Sequence, residues 1–210
     1  MTAPRISVIL PVRQAAFTIA QTVSSLLDQC AGQSVEVIIA VCESDPTCAQ
    51  LAAIVQDPAR LLIIKHPAGV PQLRREATLQ ARGDLIVITE DHCRFPQGWL
   101  DGLLRASEEH PGAVCGGPVD NGRLTLAGWA QYFSRYSAFL PKCTAAQVRT
   151  LPGNNACYPG RLISDRLALL EEGFWEAEFN HALASDGVTF RLIPALAVTQ
   201  YQQRGLIEYI

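Results

Sequence analysis

The sequence predicts an α/β protein built on an open, mostly parallel sheet flanked by helices. Continuous apolar runs rich in Val and Ile recur through the first half: Ile6–Val12, Val35–Val41 and Leu85–Thr89. Such runs suit strands buried on both faces of a parallel sheet. Stretches with apolar residues at helical spacing separate them, which is the alternation of right-handed βαβ units. The composition can fill the core this requires, since 49% of the 210 residues are hydrophobic and 18% are charged.

Taken in order, Ile6–Val12 is the first strand, and Ala15–Gln29 follows as a helix with Ile19, Val23, Leu26 and Leu27 on one face. Val35–Val41 is the second strand; Asp45-Pro46-Thr47 then gives a turn or cap before a short helix over Ala49–Val55. Arg60–Lys65 reads as a third strand, Val70–Ala81 as a polar helix stopped near Gly83, and Leu85–Thr89 as a fourth strand. Trp99–Glu109 is helical and Ala113–Gly116 a short strand. From Gly117 the texture changes. Gly116–Gly122 and Leu151–Ala156 read as loops, Arg161–Leu170 and Trp175–Ala184 as helices, and Thr189–Ile193 and Ala195–Thr199 as strands. Arg204–Ile210 begins a helical pattern without a stop signal, the expectation for a chain cut short. One domain is expected, with halves at about residues 1–116 and 117–210.

A net charge of −3 and an isoelectric point near 5.8 argue against a nucleic-acid partner. The apolar runs are too short to cross a bilayer. The N-terminus enters a strand pattern at once instead of a signal-peptide pattern, so a cytoplasmic protein is expected. Seven cysteines, at 30, 42, 48, 93, 115, 143 and 157, form no CxxC pair and read as ordinary thiols in a reducing compartment.

In an open α/β sheet, ligands bind beyond the carboxyl ends of the strands near a topological switch point. The residues after Val12, Val41, Lys65 and Thr89 are therefore the first candidates. Thr89 is followed by Glu90-Asp91-His92. Adjacent carboxylates raise one another's pKa unless a cation or hydrogen-bond donors compensate. A divalent ion holding phosphate oxygens would do so; alternatively the two acids cap the following turn. His92 either binds metal or phosphate through a ring nitrogen or fixes the loop. Trp129, Tyr132, Phe133 and Tyr136 share one helical face and form either core or a sugar or lipid platform.

These segments together resemble family-2 glycosyltransferases of the GT-A fold. The first strand, ending Pro11-Val12-Arg13-Gln14, resembles that family's opening Pro-Val turn. Gly83–Leu100 resembles its strand, acidic motif and next helix; Gly116-Gly-Pro-Val resembles the loop beyond. Pro152-Gly-Asn-Asn-Ala156 resembles the acceptor-side segment, and Gly173–Leu183 the helix that carries the base. The resemblance implies an inverting transfer of a sugar from a nucleotide-diphosphate donor to an acceptor hydroxyl. It implies Glu176 as general base, Glu178 at the second acidic position, and Asp91 with Glu90 on the diphosphate and a Mn²⁺ or Mg²⁺ ion; His92 is a further metal candidate by its place beside Asp91, not by the resemblance. Pro11, Glu43 and Arg74 fall on the donor side, and Gly153, Asn154 and Asn155 on the acceptor side. Relatives often use carbohydrate or lipid-linked acceptors, which implies peripheral membrane association, at the inner face of the membrane.

Three departures stand out. Cys42-Glu43-Ser44 replaces the acid usual after the second strand, Trp175 stands where Glu precedes the base position, and Gln200 falls where some relatives carry His. They support a rival reading, a degenerate nucleotide-sugar-binding or assembly module. A nucleotidyltransferase would want a Gly-rich, basic loop after the first strand, and Pro11–Ala16 is no such loop.

Overall fold

The computed structural model describes residues 3–30, 32–54, 61–67, 69–140 and 145–201. The pattern at Arg204–Ile210, Cys143, and the expected strand and helix ends at Arg60 and Val55 lie outside the described residues.

Strand β1 (Ile6–Val12) is buried along its whole length and pairs in parallel with β2 (Val35–Cys42) on one side and β4 (Leu85–Thr89) on the other. β3 (Leu61–His66) extends the sheet beyond β2, also in parallel. The connections reverse direction between β1 and β4, so the switch point lies at the carboxyl ends of these two strands. The side-chain period of two sends Val8 and Leu10 into the core on one face, and Ile9 into the core on the other. Each fully buried Leu, Ile or Phe contributes roughly 1.5–3 kcal/mol. Helices α1 (Ile19–Leu27), α2 (Thr47–Ile54), α3 (Val70–Gln80) and α4 (Trp99–Glu109) connect and cover these strands. α1 starts later than its apolar spacing suggests because Ala15–Thr18 forms a turn, with the Thr18 and Ile19 N–H groups both donating to Ala15 O.

The rest of the chain adds β5 (Cys93–Arg94), β6 (Val114–Gly116), β7 (Val119–Asn121), α5 (Leu126–Tyr136), β8 (Ala146–Val148), β9 (Asn155–Pro159), α6 (Gly160–Ser164), α7 (Glu176–Ser185), β10 (Phe190–Leu192) and β11 (Val198–Gln200). The main sheet runs β3-β2-β1-β4-β9-β6-β10-β8, and β5-β11-β7 form a smaller one. Four of its pairings are parallel; the three involving β8 and β9 are antiparallel.

β9 replaces the second half of an expected loop. It starts one residue after the Gly153-Asn154 turn and takes its bonds from β4 and β6, far away in sequence, so the pairing is tertiary and leaves no local periodicity. β7 likewise lies inside the expected 116–122 loop. The helix expected over Arg161–Leu170 stops at Ser164, and a 3₁₀ turn follows at Leu167–Leu170. Arg166 explains the break: its guanidinium donates to Leu162 O and to Asp186, taking a carbonyl that a continuing helix would use. On α5 the aromatic face divides. Tyr132 and Tyr136 are buried, whereas Trp129 and Phe133 are 38% and 49% exposed, so the core reading holds for half of it.

Candidate functional site

A cleft of about 610 Å³ opens at the carboxyl ends of β1 and β4. Pro11 ends the β1 wall, and Glu90, Asp91 and His92 follow β4. Three backbone ties fix this acidic turn. Cys93 N–H donates to Glu90 O at 3.2 Å, Thr22 Oγ1 to Asp91 O at 3.0 Å, and Tyr201 N–H to His92 O at 2.7 Å. The small sheet therefore holds the acidic turn from outside.

Arg74 is the hub of the site. It lies on α3 with its side chain only 4% exposed, donating through Nη2 to Glu90 Oε1 at 2.6 Å and through Nη1 to Glu176 Oε2. Its Nε is buried without a partner. Glu176 reaches this point because α7 begins beside α3: Gly173 has φ +135°, a conformation that favours glycine, and Phe174 N–H donates to Pro71 O at 2.8 Å. The opposite wall is the loop before β9. A Cβ on Gly153 would stand 2.5 Å from Glu176 Cγ and Oε1, so the base candidate and the acceptor-side loop touch.

His92 Nδ1 lies 3.1 Å from Asp91 Oδ1, and Nε2 lies 3.2 Å from Glu90 Oε2 without hydrogen-bond geometry. Burial opposes a charge on His92, but the bond to Asp91 and the two carboxylates outweigh it and hold its pKa above the ordinary value. Asp91 Oδ2 accepts Arg13 N–H at 2.7 Å. Both oxygens of each carboxylate thus already face a protein donor or cation. Among the described residues no group of three or more His, Cys, Asp or Glu side chains is placed to hold a metal ion. As arranged, the set expected for Mn²⁺ or Mg²⁺ does not fit a resident ion.

Of the residues singled out in the sequence, Pro11, Arg74, Glu90, Asp91, His92, Gly153, Asn154 and Glu176 line the cleft. Three do not. Glu43 is exposed away from the lining; Asp45, two residues on, is buried and accepts from Gln14 N–H, Thr47 N–H and Thr47 Oγ1. Asn155 turns into the core, accepting from Trp99 Nε1 at 3.1 Å and donating to Pro118 O and Leu196 O. Glu178 is exposed on α7, two residues and therefore about 200° around the helix from Glu176.

The cleft also gathers residues that sequence reasoning missed. Arg13 and Gln14 follow β1, and Gln14 adopts φ +57°, held by Asp45. Arg135 and Phe139 come from the end of α5 and the turn beyond, beside Tyr136, which the sequence had placed on the aromatic face read as core or platform. Tyr136 Oη accepts from Asn154 Nδ2 at 3.0 Å, and burial pushes its pKa well up, so it stays a phenol. Asn154 Oδ1 remains buried with no partner. The signal for Tyr136 was its helical spacing from Tyr132; Arg13 and Gln14 carried none beyond their place after a strand.

A family model described as glycosyl transferase family 2 matches residues 7–169, more than half of the chain. No curated protein matches it at the sequence level. In fold, the chain is similar to residues 1–349 of S. aureus TarS crystallised with UDP-GlcNAc, with TM-score 0.70, 16% identity, and coverage of 96% of this chain and 59% of that one. It is also similar to GalNAc-T7 crystallised with UDP, GalNAc and Mn²⁺, with TM-score 0.75, 13% identity, and coverage of 97% and 45%. The chain thus spans less than two thirds of either structure, and at these identities the likeness establishes the α/β GT-A fold alone. With that fold and the family match over most of its length, the chain belongs to glycosyl transferase family 2.

Proposed function

We propose that this chain is an inverting glycosyltransferase acting on a nucleotide-diphosphate sugar. The observation that carries the reading is the meeting of Arg74, Glu90 and Glu176 at the switch point, against a loop that leaves buried Asn154 Oδ1 unsatisfied. Donor complexes of the two similar folds, one with UDP-GlcNAc and one with UDP, are consistent with a donor of this class.

The acceptor hydroxyl oxygen attacks the anomeric carbon from the Gly153–Asn154 side, the bond from that carbon to the diphosphate oxygen breaks, and the nucleoside diphosphate leaves. Glu176 takes the hydroxyl proton. Arg74 positions Glu176 by holding Oε2, and Oε1 lies against Gly153. Asn154 Oδ1 accepts a hydrogen bond from the acceptor. Arg13, Arg74 and Arg135 line the cleft and face the negative charge that builds on the leaving diphosphate. No step is routed through a metal, because Arg74, His92 and Arg13 N–H already occupy the carboxylate oxygens. Our reading keeps a cytoplasmic location at the inner face of the membrane, with a carbohydrate or lipid-linked acceptor.

The test pairs Glu176→Gln with calorimetric titration of a panel of nucleotide-diphosphate sugars, with and without Mn²⁺. One donor should bind equally well in either buffer, and the variant should keep that binding while losing about 10²–10⁴-fold in transfer rate. Donor binding that requires Mn²⁺ would reopen the Asp91 site to a metal. Unchanged transfer would remove Glu176 as the base, and a folded protein that binds no donor would favour the assembly-module reading.

A further inference from the structure

The fold makes little use of Trp175, the residue that stands where the family pattern has Glu before the base. Trp99 is buried against Phe95 with ring centroids 4.4 Å apart, and Trp129 stacks on Phe133. Trp175 meets no aromatic ring among the described residues and is 48% exposed. Its backbone is nevertheless fixed on both sides. Phe174 before it donates to Pro71 O at 2.8 Å, its own carbonyl accepts Phe179 N–H at 2.9 Å, and Glu176 after it meets Arg74 and Gly153. An indole thus lines the cleft one residue from the base candidate. Such a ring supplies a large contact area at small cost in side-chain entropy.

The same cleft holds a polar pair that selects among ligands. Asn154 is 1% exposed, and its Oδ1 has no partner. Tyr136 Oη accepts from Asn154 Nδ2 at 3.0 Å, so its own proton has no recipient among the described residues, and burial keeps that proton on the phenol. The pair therefore offers one acceptor and one donor side by side. A phosphate or a carboxylate only accepts and an ammonium only donates, whereas a hydroxyl does both. Gly153 touches Glu176 and Asn154 is the next residue, so this hydroxyl is a neighbour of the one that gives its proton to Glu176. Two neighbouring hydroxyls beside an aromatic face match a sugar ring, which carries hydroxyls on its rim and C–H groups on its face.

We propose that Trp175 is the platform on which the C–H face of a pyranose acceptor lies, its second hydroxyl read by Asn154 Oδ1 and the Tyr136 phenol. This names the acceptor class of the proposed transferase and rests on that reading for the reacting hydroxyl; the binding itself rests on Trp175, Asn154 and Tyr136.

The experiment is saturation-transfer NMR of the full chain with the methyl pyranosides of glucose, galactose, mannose and N-acetylglucosamine. Sorbitol, which has the hydroxyls without the ring face, is the control, and donor titration runs on the same preparations. At least one pyranoside should receive saturation, strongest at the C–H protons of one face, and sorbitol should receive none. Trp175→Ala should weaken that sugar about tenfold and Trp175→Phe recover most of it. In transfer assays the loss should fall on the acceptor KM more than on kcat. Tyr136→Phe, the second variant should Trp175→Ala not fold, should weaken the same sugar about two- to tenfold. A preference for the octyl over the methyl glycoside would put the ring on a lipid, and equal affinity would put it on a free or glycan-borne sugar; both keep the platform. No saturation of any pyranoside, or equal affinity in wild type and Trp175→Ala, would overturn the proposal. Nucleotide affinity lost in Trp175→Ala with sugar binding unchanged would also overturn it, giving the indole to a nucleobase. Sugar binding that needs Trp175, in a protein that binds no donor, would keep the platform and sink the transferase reading alone.

Discussion

Two arginine–glutamate clusters sit at opposite ends of the same parallel strands, and they differ in how completely they satisfy themselves. At the amino ends, Glu36 Oε1 accepts from Ser7 Oγ at 2.6 Å and Arg82 N–H at 2.8 Å, and Oε2 accepts from Arg82 Nε and Nη2 at 2.9 and 2.6 Å. Ser7 Oγ in turn accepts Gly83 N–H at 2.8 Å. Each of these groups bonds to another within the cluster, and a Cβ at Gly83 would meet the Ser7 N atom at 2.5 Å, so the end is shut. At the carboxyl ends the same residue types leave Arg74 Nε, His92 Nε2 and Asn154 Oδ1 buried without hydrogen-bond partners around a cleft. A structural cluster closes on itself; one placed for a ligand keeps buried polar atoms in reserve.

The comparison breaks first at Arg74. Arg74→Met should cost about 3 kcal/mol in urea unfolding, the low end for breaking a buried ion pair, because Glu90 and Glu176 keep some contact with water. It should also abolish transfer, and adding Glu176→Gln should restore part of the stability; no recovery would mean that Arg74 matters for packing rather than charge. Glu36→Ala should cost about 1–3 kcal/mol, by unpairing Ser7 Oγ and Arg82, and leave donor affinity unchanged. A parallel loss of donor affinity would erase the distinction between the two ends.

The smallest effect concerns Asp45, which pins Gln14 beside the cleft. Burial alone would raise its pKa, but bonds from Thr47 and Gln14, with Arg13 nearby, bring it below the ordinary carboxylate value. A folded pKa below the unfolded one means stability present above about pH 4 and lost as the pH falls through the folded value. Asp45→Asn should lower stability at neutral pH by about 1 kcal/mol and flatten that acid-side slope in thermal midpoints. An unchanged slope would assign the acid sensitivity to another carboxylate.

Much of the fold was legible because β1, β2 and β4 are buried on both faces and announce it with apolar runs, which only Ser7 in β1, Glu36 in β2 and the strand-end Thr89 interrupt. The acidic turn was legible because its position after a strand carries meaning by itself. β9 was not, since its order comes from β4 and β6. The same strand hides the fate of Asn155: one residue of register sends Asn154 to the cleft and Asn155 into a bond with Trp99. Glu43 and Asp45 show a similar limit. Asp45-Pro46-Thr47 was readable as a turn or cap, but that it would anchor Gln14 across the β1 loop depends on pairing of strands, not on spacing.

The three tryptophans divide the molecule into optical channels. Trp99 is buried against Asn155, Trp175 is 48% exposed in the cleft wall, and Trp129 stands on the outer face of α5. Unlabelled protein should therefore emit from a blue-shifted internal standard and from two solvent-touched reporters at separate sites. A nucleotide that enters the cleft should change the emission of Trp175 and leave that of Trp99 constant. Single Trp→Phe replacements then let one cuvette follow cleft occupancy at Trp175 against the buried standard, in real time.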